Sequence, residues 1–191
     1  MEMLNKNELL SRTNLAEGRF LRIDELEFTD RRGVRRRWET TGRVNSRGAA
    51  TIIAEIVPDG KLILVRQFRP PAWQYLIEFP AGLVDPGESP AATALRELRE
   101  ETGFEGEIVS VLPESTSSPG MSSEKMTVVM IRVDGNRYRD GLPPSCQDEN
   151  EDIETILVPK TGLLDYLTRA AAAGDGIDAK LLHYALGCSP S

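Results

Sequence analysis

The sequence predicts an α/β fold: a mixed sheet between helices, an α/β/α sandwich, with a small β unit ahead of it. Three observations predict it. Short apolar runs bounded by Gly, Pro and Asp recur between Phe20 and Phe79. One capped helical pattern interrupts them, between Ser89 and Gly103. Further strand-like runs follow, and the chain ends in two helical stretches, about 160–173 and 177–187.

Residues 1–47 read as the small β unit. Phe20–Phe28 and Val34–Thr41 alternate loosely, and Asp30–Gly33 supplies the turn between them. A hairpin of that size cannot bury its own apolar face, which predicts a homodimer built through this unit. The basic run Arg31–Arg37 reads as a solvated face, with phosphate binding as the alternative. Residues 48–191 hold the sandwich. Thr51–Val57 and Lys61–Phe68 are strands joined by the turn Pro58-Asp59-Gly60. Tyr75–Phe79 is a short strand leading into Pro80-Ala81-Gly82.

The helix comes next. Ser89 is a hydroxyl N-cap, Pro90 stands where its missing N–H costs nothing, and Gly103 can take the left-handed stop. Ala91, Ala94, Leu95, Leu98 and Thr102 fall at helical spacing and are expected to pack on the sheet. Strands near Ile108–Leu112 and Lys125–Val133 follow, with the loop Ser117–Glu124 between them. A polar stretch, 134–152, leads into the acidic run Asp148–Glu154. A strand at Thr155–Val158 precedes the two last helices, which Gly174-Asp175-Gly176 separates.

The helix carries the chemistry. Glu97 and Glu101 are four residues apart, Glu97 and Glu100 three, so their carboxylates project from one adjoining face. Like charges at that spacing destabilise a helix by a few tenths of a kcal/mol per pair. A hard divalent cation such as Mg²⁺ offsets that cost, since it takes carboxylate and carbonyl oxygens. Arg96, four residues before Glu100, can hold one carboxylate, and Glu88 reaches in from the preceding loop.

Composition sets the limits. The 191 residues suit one domain, or one with an appendage, and 40% hydrophobic with 28% charged residues is ordinary for a globular chain. The net charge of −7 argues against nucleic acid as a partner. No apolar stretch approaches the ~20 residues of a membrane span, and the first ten residues are not a signal peptide. Cys146 and Cys188 stand far apart, which fits two free thiols in a reduced cytoplasmic protein. His183 is the only histidine, so histidine catalysis and zinc ligation are poor expectations.

Between Gly82 and Phe104 the chain reads GLVDPGESPAATALRELREETGF: a glycine, five residues, a glutamate, seven residues, then R-E-L-x-E-E-x-G-F. In this segment it resembles the Nudix hydrolases, which implies the sandwich fold over residues 48–187. Outside the segment, Val65–Pro71 (VRQFRPP), Ile77–Gly82 (IEFPAG), Pro119 sixteen residues after Gly103, the run ENEDIE and Gly176–Ala179 resemble the ADP-ribose pyrophosphatase branch.

That resemblance implies hydrolysis of the diphosphate of ADP-ribose to AMP and ribose 5-phosphate. Sister substrates are other nucleoside diphosphate sugars, such as ADP-glucose or GDP-mannose. An alternative of another class is a silent nucleotide-sensing domain, disfavoured because all four box glutamates are present. The Ala81 carbonyl, Glu97 and Glu101 would bind Mg²⁺, or Mn²⁺ in its place, with Glu100 and Glu88 helping. Arg43 and Arg69 would hold the diphosphate, and Pro119 and Gly120 lie in the substrate loop. Trp38 would stack on the adenine, with Phe20 as the second face. Glu149 or Glu151 would serve as the base, with Glu100 as the fallback. The N-terminal unit would build a homodimer whose active sites are completed across subunits.

Overall fold

The computed structural model of the chain describes residues 7–147 and 152–188. It divides into two compact units: Met1–Gly48 with Glu114–Met126, and Ala49–Pro113 with Thr127–Ser191.

The first unit holds an antiparallel sheet of three strands in the order β1 (Glu8–Glu17), β2 (Leu21–Thr29) and β3 (Arg35–Arg43). β2 and β3 are the expected hairpin. β1 is a strand that the alternation did not predict, and the reason is visible in its burial: every one of its residues is exposed. A strand that buries none of its residues has no apolar face for a period of two to report. Residues 114–126, expected in the sandwich, belong to this unit. The Thr41 N–H donates to the Met121 carbonyl at 2.8 Å, and the Ser123 N–H to the Thr41 carbonyl at 3.0 Å.

The second unit is built on a mixed sheet. Its strands are β4 (Ala49–Val57), β5 (Lys61–Arg69), β6 (Gln74–Glu78), β7 (Ala81–Leu83), β8 (Glu107–Val111), β10 (Lys125–Asp134, whose first two residues fall in the first unit), β11 (Ile153–Pro159) and β12 (Gly176–Ile177); β9 (Ser115–Thr116), in the first unit, pairs with those two residues of β10. The order is β12-β6-β5-β4-β10-β8, with β11 on β5, β7 on β4 and β9 on β10. Only β12 runs parallel to its partner, β6, among the registers resolved. The helices are α1 (Pro90–Thr102), α2 (Leu163–Ala173) and α3 (Ala179–Cys188).

β5 shows why the architecture is a sandwich. Its residues Leu62 to Val65 are wholly buried. Ile63 packs with Ala94 and Leu98 of α1, whereas Leu62 and Leu64 pack with Leu163 and Leu167 of α2 and Leu181 of α3. Alternate side chains thus feed two cores, and a strand covered on both faces reads as a continuous apolar run. Leu98 is fully buried in the α1 core. Leu98→Ala is expected to destabilise the fold by about 2–5 kcal/mol, read from the shift in the urea midpoint at unchanged slope.

Candidate active site

α1 is placed by its ends. Ser89 Oγ accepts from the Ala92 N–H at 3.2 Å, Pro90 opens the first turn, and Gly103 at φ +74° returns its N–H to the Arg99 carbonyl at 2.8 Å. The expected inward face is shifted by part of a turn. Ala94, Leu98 and Thr102 are buried as anticipated, but Leu95 is exposed, and Thr93 and Glu101 are buried beside them. The shift turns an acid toward the sheet.

Glu101 is 4% exposed, and its Oε2 accepts the Ala81 N–H at 3.3 Å. Glu97 lies against the bare Cα of Gly82: a Cβ there would fall 1.8 Å from Glu97 Oε1. Gly82 is outside the left-handed region, so its need for glycine is one of space. Gly82→Ala is therefore expected to leave the melting temperature nearly unchanged, because only a flexible carboxylate must move. It should lower kcat/KM by about 10²-fold, the cost of misplacing a catalytic group by an ångström.

Arg96 ties the remaining acids together. Its Nη1 donates to Glu97 Oε1 and Glu100 Oε2, both at 2.9 Å, and its Nε and Nη2 reach Glu88 at 3.0 and 3.1 Å. Thr93 Oγ1 donates to Glu88 at 2.8 Å. The Arg96 and Thr93 hydrogen bonds lower the Glu88 pKa to about 2, and Glu88 in turn raises that of Arg96. The Glu88 carboxylate is thus held charged, and its stabilising contacts are lost only as pH falls through that value.

Arg69, at the end of β5, is paired with Glu78, at the end of β6. Its Nε and Nη2 donate to the two Glu78 oxygens at 2.7 and 3.0 Å, a bidentate fork. Those bonds raise the Arg69 pKa, with smaller contributions from Glu101 and Asp178. The direction of the guanidinium is therefore set by Glu78, and the charge of Glu101 on α1 acts on it. The sequence reading assigned Glu78 no role. The signal was an acid in the run Leu76-Ile77-Glu78-Phe79: it is 7% exposed, and a carboxylate that buried needs a cation.

The other candidates belong to the N-terminal unit. Arg43 Nε donates to Glu124 Oε1 at 2.6 Å, and Trp38 Nε1 to the Gly120 carbonyl at 3.1 Å, beside Pro119. Trp38 and Phe20 are 55% and 65% exposed. They do not form one stack within the chain. Trp38 pairs with Leu26, whereas the Phe20 carbonyl receives the Val44 N–H. Six residues of strand separate these places, about 20 Å. Three arginines of the basic run are paired across its hairpin: Arg35 meets Glu27, Arg36 meets Asp30, and Arg37 meets Glu25. His183 is exposed, and Cys146 and Cys188 are free thiols.

Glu149 and Glu151 lie outside the described residues. Their flanks are described. The Cys146 N–H donates to the Glu100 carbonyl at 2.9 Å, and Gln147 Nε2 to the carbonyls of Glu101 and Ile153 at 3.2 and 2.7 Å. Both ends of that segment are thereby fixed at the C-terminal turn of α1.

Among the described residues no three acidic, thiol or imidazole groups converge closely enough to cage an ion: Arg96 draws Glu97 and Glu100, while Glu101 turns to the Ala81 N–H. The donor chemistry nevertheless fits a hard cation. It comprises carboxylates and a strand carbonyl, beside a glycine that leaves room for them.

A mixed sheet between helices, with an acid-bearing helix that follows a glycine strand, offers the oxygen donors that a hydrolase of diphosphates can use. The profile of the NUDIX domain matches residues 46–177, and the chain belongs to that family. It is 34% identical to the ADP-sugar pyrophosphatase of Mus musculus, over 95% of this chain and 87% of that one. It is 32% identical to the ADP-ribose pyrophosphatase of Saccharomyces cerevisiae, over 88% and 77% of the two chains. A solved ADP compounds hydrolase superposes with a TM-score of 0.67 at 28% identity, covering 88% of this chain and 86% of that one.

Proposed function

We propose that this Nudix enzyme hydrolyses the diphosphate of ADP-ribose, releasing AMP and ribose 5-phosphate. The observation that carries the reaction class is the seating of Glu97 and Glu101 against the Ala81-Gly82 backbone. The substrate rests on relatives named for ADP-ribose and ADP-sugars across most of their length. Other nucleoside diphosphate sugars, ADP-glucose and GDP-mannose among them, are the sister reading.

The Ala81 carbonyl, Glu97 and Glu101 would hold Mg²⁺, or Mn²⁺ in its place, with Glu100 and Glu88 assisting. The ion's contribution is to neutralise charge on the diphosphate and polarise its phosphoryl oxygens. Arg96 orients the Glu97 and Glu100 carboxylates. Arg69, aimed by Glu78, would offset the charge that builds on the phosphoryl group. A water attacks one phosphorus, the bridging P–O bond breaks, and the water's proton passes to a carboxylate, Glu149 or Glu151. Arg43, Pro119 and Gly120 would contact the substrate.

Trp38 and Phe20 stand too far apart in one chain to sandwich a base, so an adenine held by both needs two chains. Together with the exposed apolar residues Leu9, Leu21 and Ile23, this supports a homodimer with shared sites. Light scattering at micromolar concentration should report about twice the 21.1 kDa chain mass. A fully active monomer would remove the shared-site reading. A cytoplasmic location belongs to the same reading; among the described residues no helix is long and apolar enough to cross a membrane.

The deciding experiment is a panel of nucleoside diphosphate sugars with chromatographic identification of products. ADP-ribose should give AMP and ribose 5-phosphate at the highest kcat/KM. A GDP- or UDP-sugar at the head of the panel would replace the adenine assignment, and no turnover of any member would favour a sensor.

A further inference from the structure

Arg35, Arg36 and Arg37 of the basic run are each paired across the hairpin, and the same unit holds a second group of cations that no run of sequence announces. They ring a cavity of about 400 Å³. Arg12 comes from β1, Arg22 from β2, Arg43 from the end of β3, Arg47 from the turn after it, and Lys125 from the start of β10.

Acids answer only part of this charge. Glu124 meets Arg43 at 2.6 Å, and Glu114 meets Lys125 at 3.2 Å. Asp24, 4% exposed, faces Arg22 at 3.2 Å and Arg12 at 3.8 Å. Arg43, which the proposed reaction places on the substrate, borders the cavity and is answered by Glu124; the other four cations, Arg12, Arg22, Arg47 and Lys125, face two carboxylates, Asp24 and Glu114. Arg47 makes no ion pair among the described residues. The buried Nε of Arg22 makes no hydrogen bond, since its contact with Asp24 lacks hydrogen-bond geometry.

In a chain of net charge −7, a cavity with surplus positive charge calls for an anion. Guanidinium forks match the oxygens of a phosphate, and the hydroxyls of Ser46 and Ser123 in the lining suit the same ligand. The volume falls within the roughly 300–1,000 Å³ of small-molecule sites.

We propose that this pocket binds a phosphomonoester dianion, the group that the products of the proposed reaction carry and ADP-ribose lacks. Inorganic phosphate presents the same chemistry. Binding at this pocket does not depend on the ADP-ribose reading; the choice of ribose 5-phosphate as a probe does.

The test is calorimetric titration of the full chain carrying Glu101→Gln, in EDTA, so that metal-assisted binding at the α1 acids is excluded. Inorganic phosphate and ribose 5-phosphate are titrated separately. One ion per chain is expected, with a Kd of about 0.1–1 mM. Arg47→Gln alone, and Arg12→Gln with Arg47→Gln, should weaken it by about tenfold and more than tenfold, at unchanged circular dichroism. Arg35→Gln with Arg37→Gln, each paired with a glutamate across the hairpin, should not weaken it. Equal affinity for both ligands assigns recognition to the phosphate alone, and tighter ribose 5-phosphate adds the sugar; either supports the site. The proposal is overturned by absence of binding at about 10 mM, or by equal losses in the hairpin control. It is also overturned if the Arg12 and Arg47 substitutions, in an otherwise native chain without added phosphate, lower kcat/KM for ADP-ribose, since the pocket would then be part of the substrate site.

Discussion

Glu101→Gln is expected to leave the fold in place and lower kcat by about 10³-fold or more. Glutamine is close in shape to glutamate, and its amide oxygen can still accept the Ala81 N–H that Glu101 now receives at 3.3 Å. What it loses is the negative charge, at a place only 4% exposed, where a divalent cation would feel it most strongly. Melting curves and steady-state kinetics on the same preparation separate the two effects. EDTA should abolish turnover of the unsubstituted enzyme, and added Mg²⁺ should restore it. Turnover near the unsubstituted level in either experiment would exclude a metal held by α1.

One of Glu149→Gln and Glu151→Gln is expected to lower kcat by about 10²–10⁴-fold, the worth of a positioned acid–base group. Carboxylates committed to a cation or to Arg96 are poor proton acceptors, so the base must come from elsewhere. The hydrogen bonds of Cys146 and Gln147 to the Glu100 and Glu101 carbonyls bring the flanks of this segment to the end of α1. Glu151 is preferred, because in sequence it is the nearer of the two to β11. KM and the Mg²⁺ concentration for half-maximal rate should change little. If both single substitutions and the double variant keep kcat within a few-fold, the base is not on this segment, and Glu100 becomes the candidate.

The two outcomes are separable. Loss of the cation site should appear in the metal dependence, whereas loss of the base should appear in kcat alone and alter its pH profile. Gly82→Ala lies between them, since it displaces Glu97 without removing a charge.

The parts of this protein legible in its sequence are those set within a few residues. Ser89, Pro90 and Gly103 announced both ends of α1, because capping is satisfied locally. Pro58-Asp59-Gly60 announced the β4–β5 hairpin for the same reason, and the acids of α1 declared the chemistry through helical spacing. Tertiary structure alone decided which face of α1 turned inward: the choice of Thr93 and Glu101 over Leu95 depends on how the helix settles against β4 and β7. It alone paired Glu78 with Arg69, across neighbouring strands, and brought Arg12, Arg22, Arg47 and Lys125 around one cavity. It also added β1, whose residues are all exposed and carry no pattern to read. The physical division is one of range: propensity, caps and periodicity act within a turn or two of chain, whereas ion pairs and shared cavities join residues whose separation in sequence leaves no local trace.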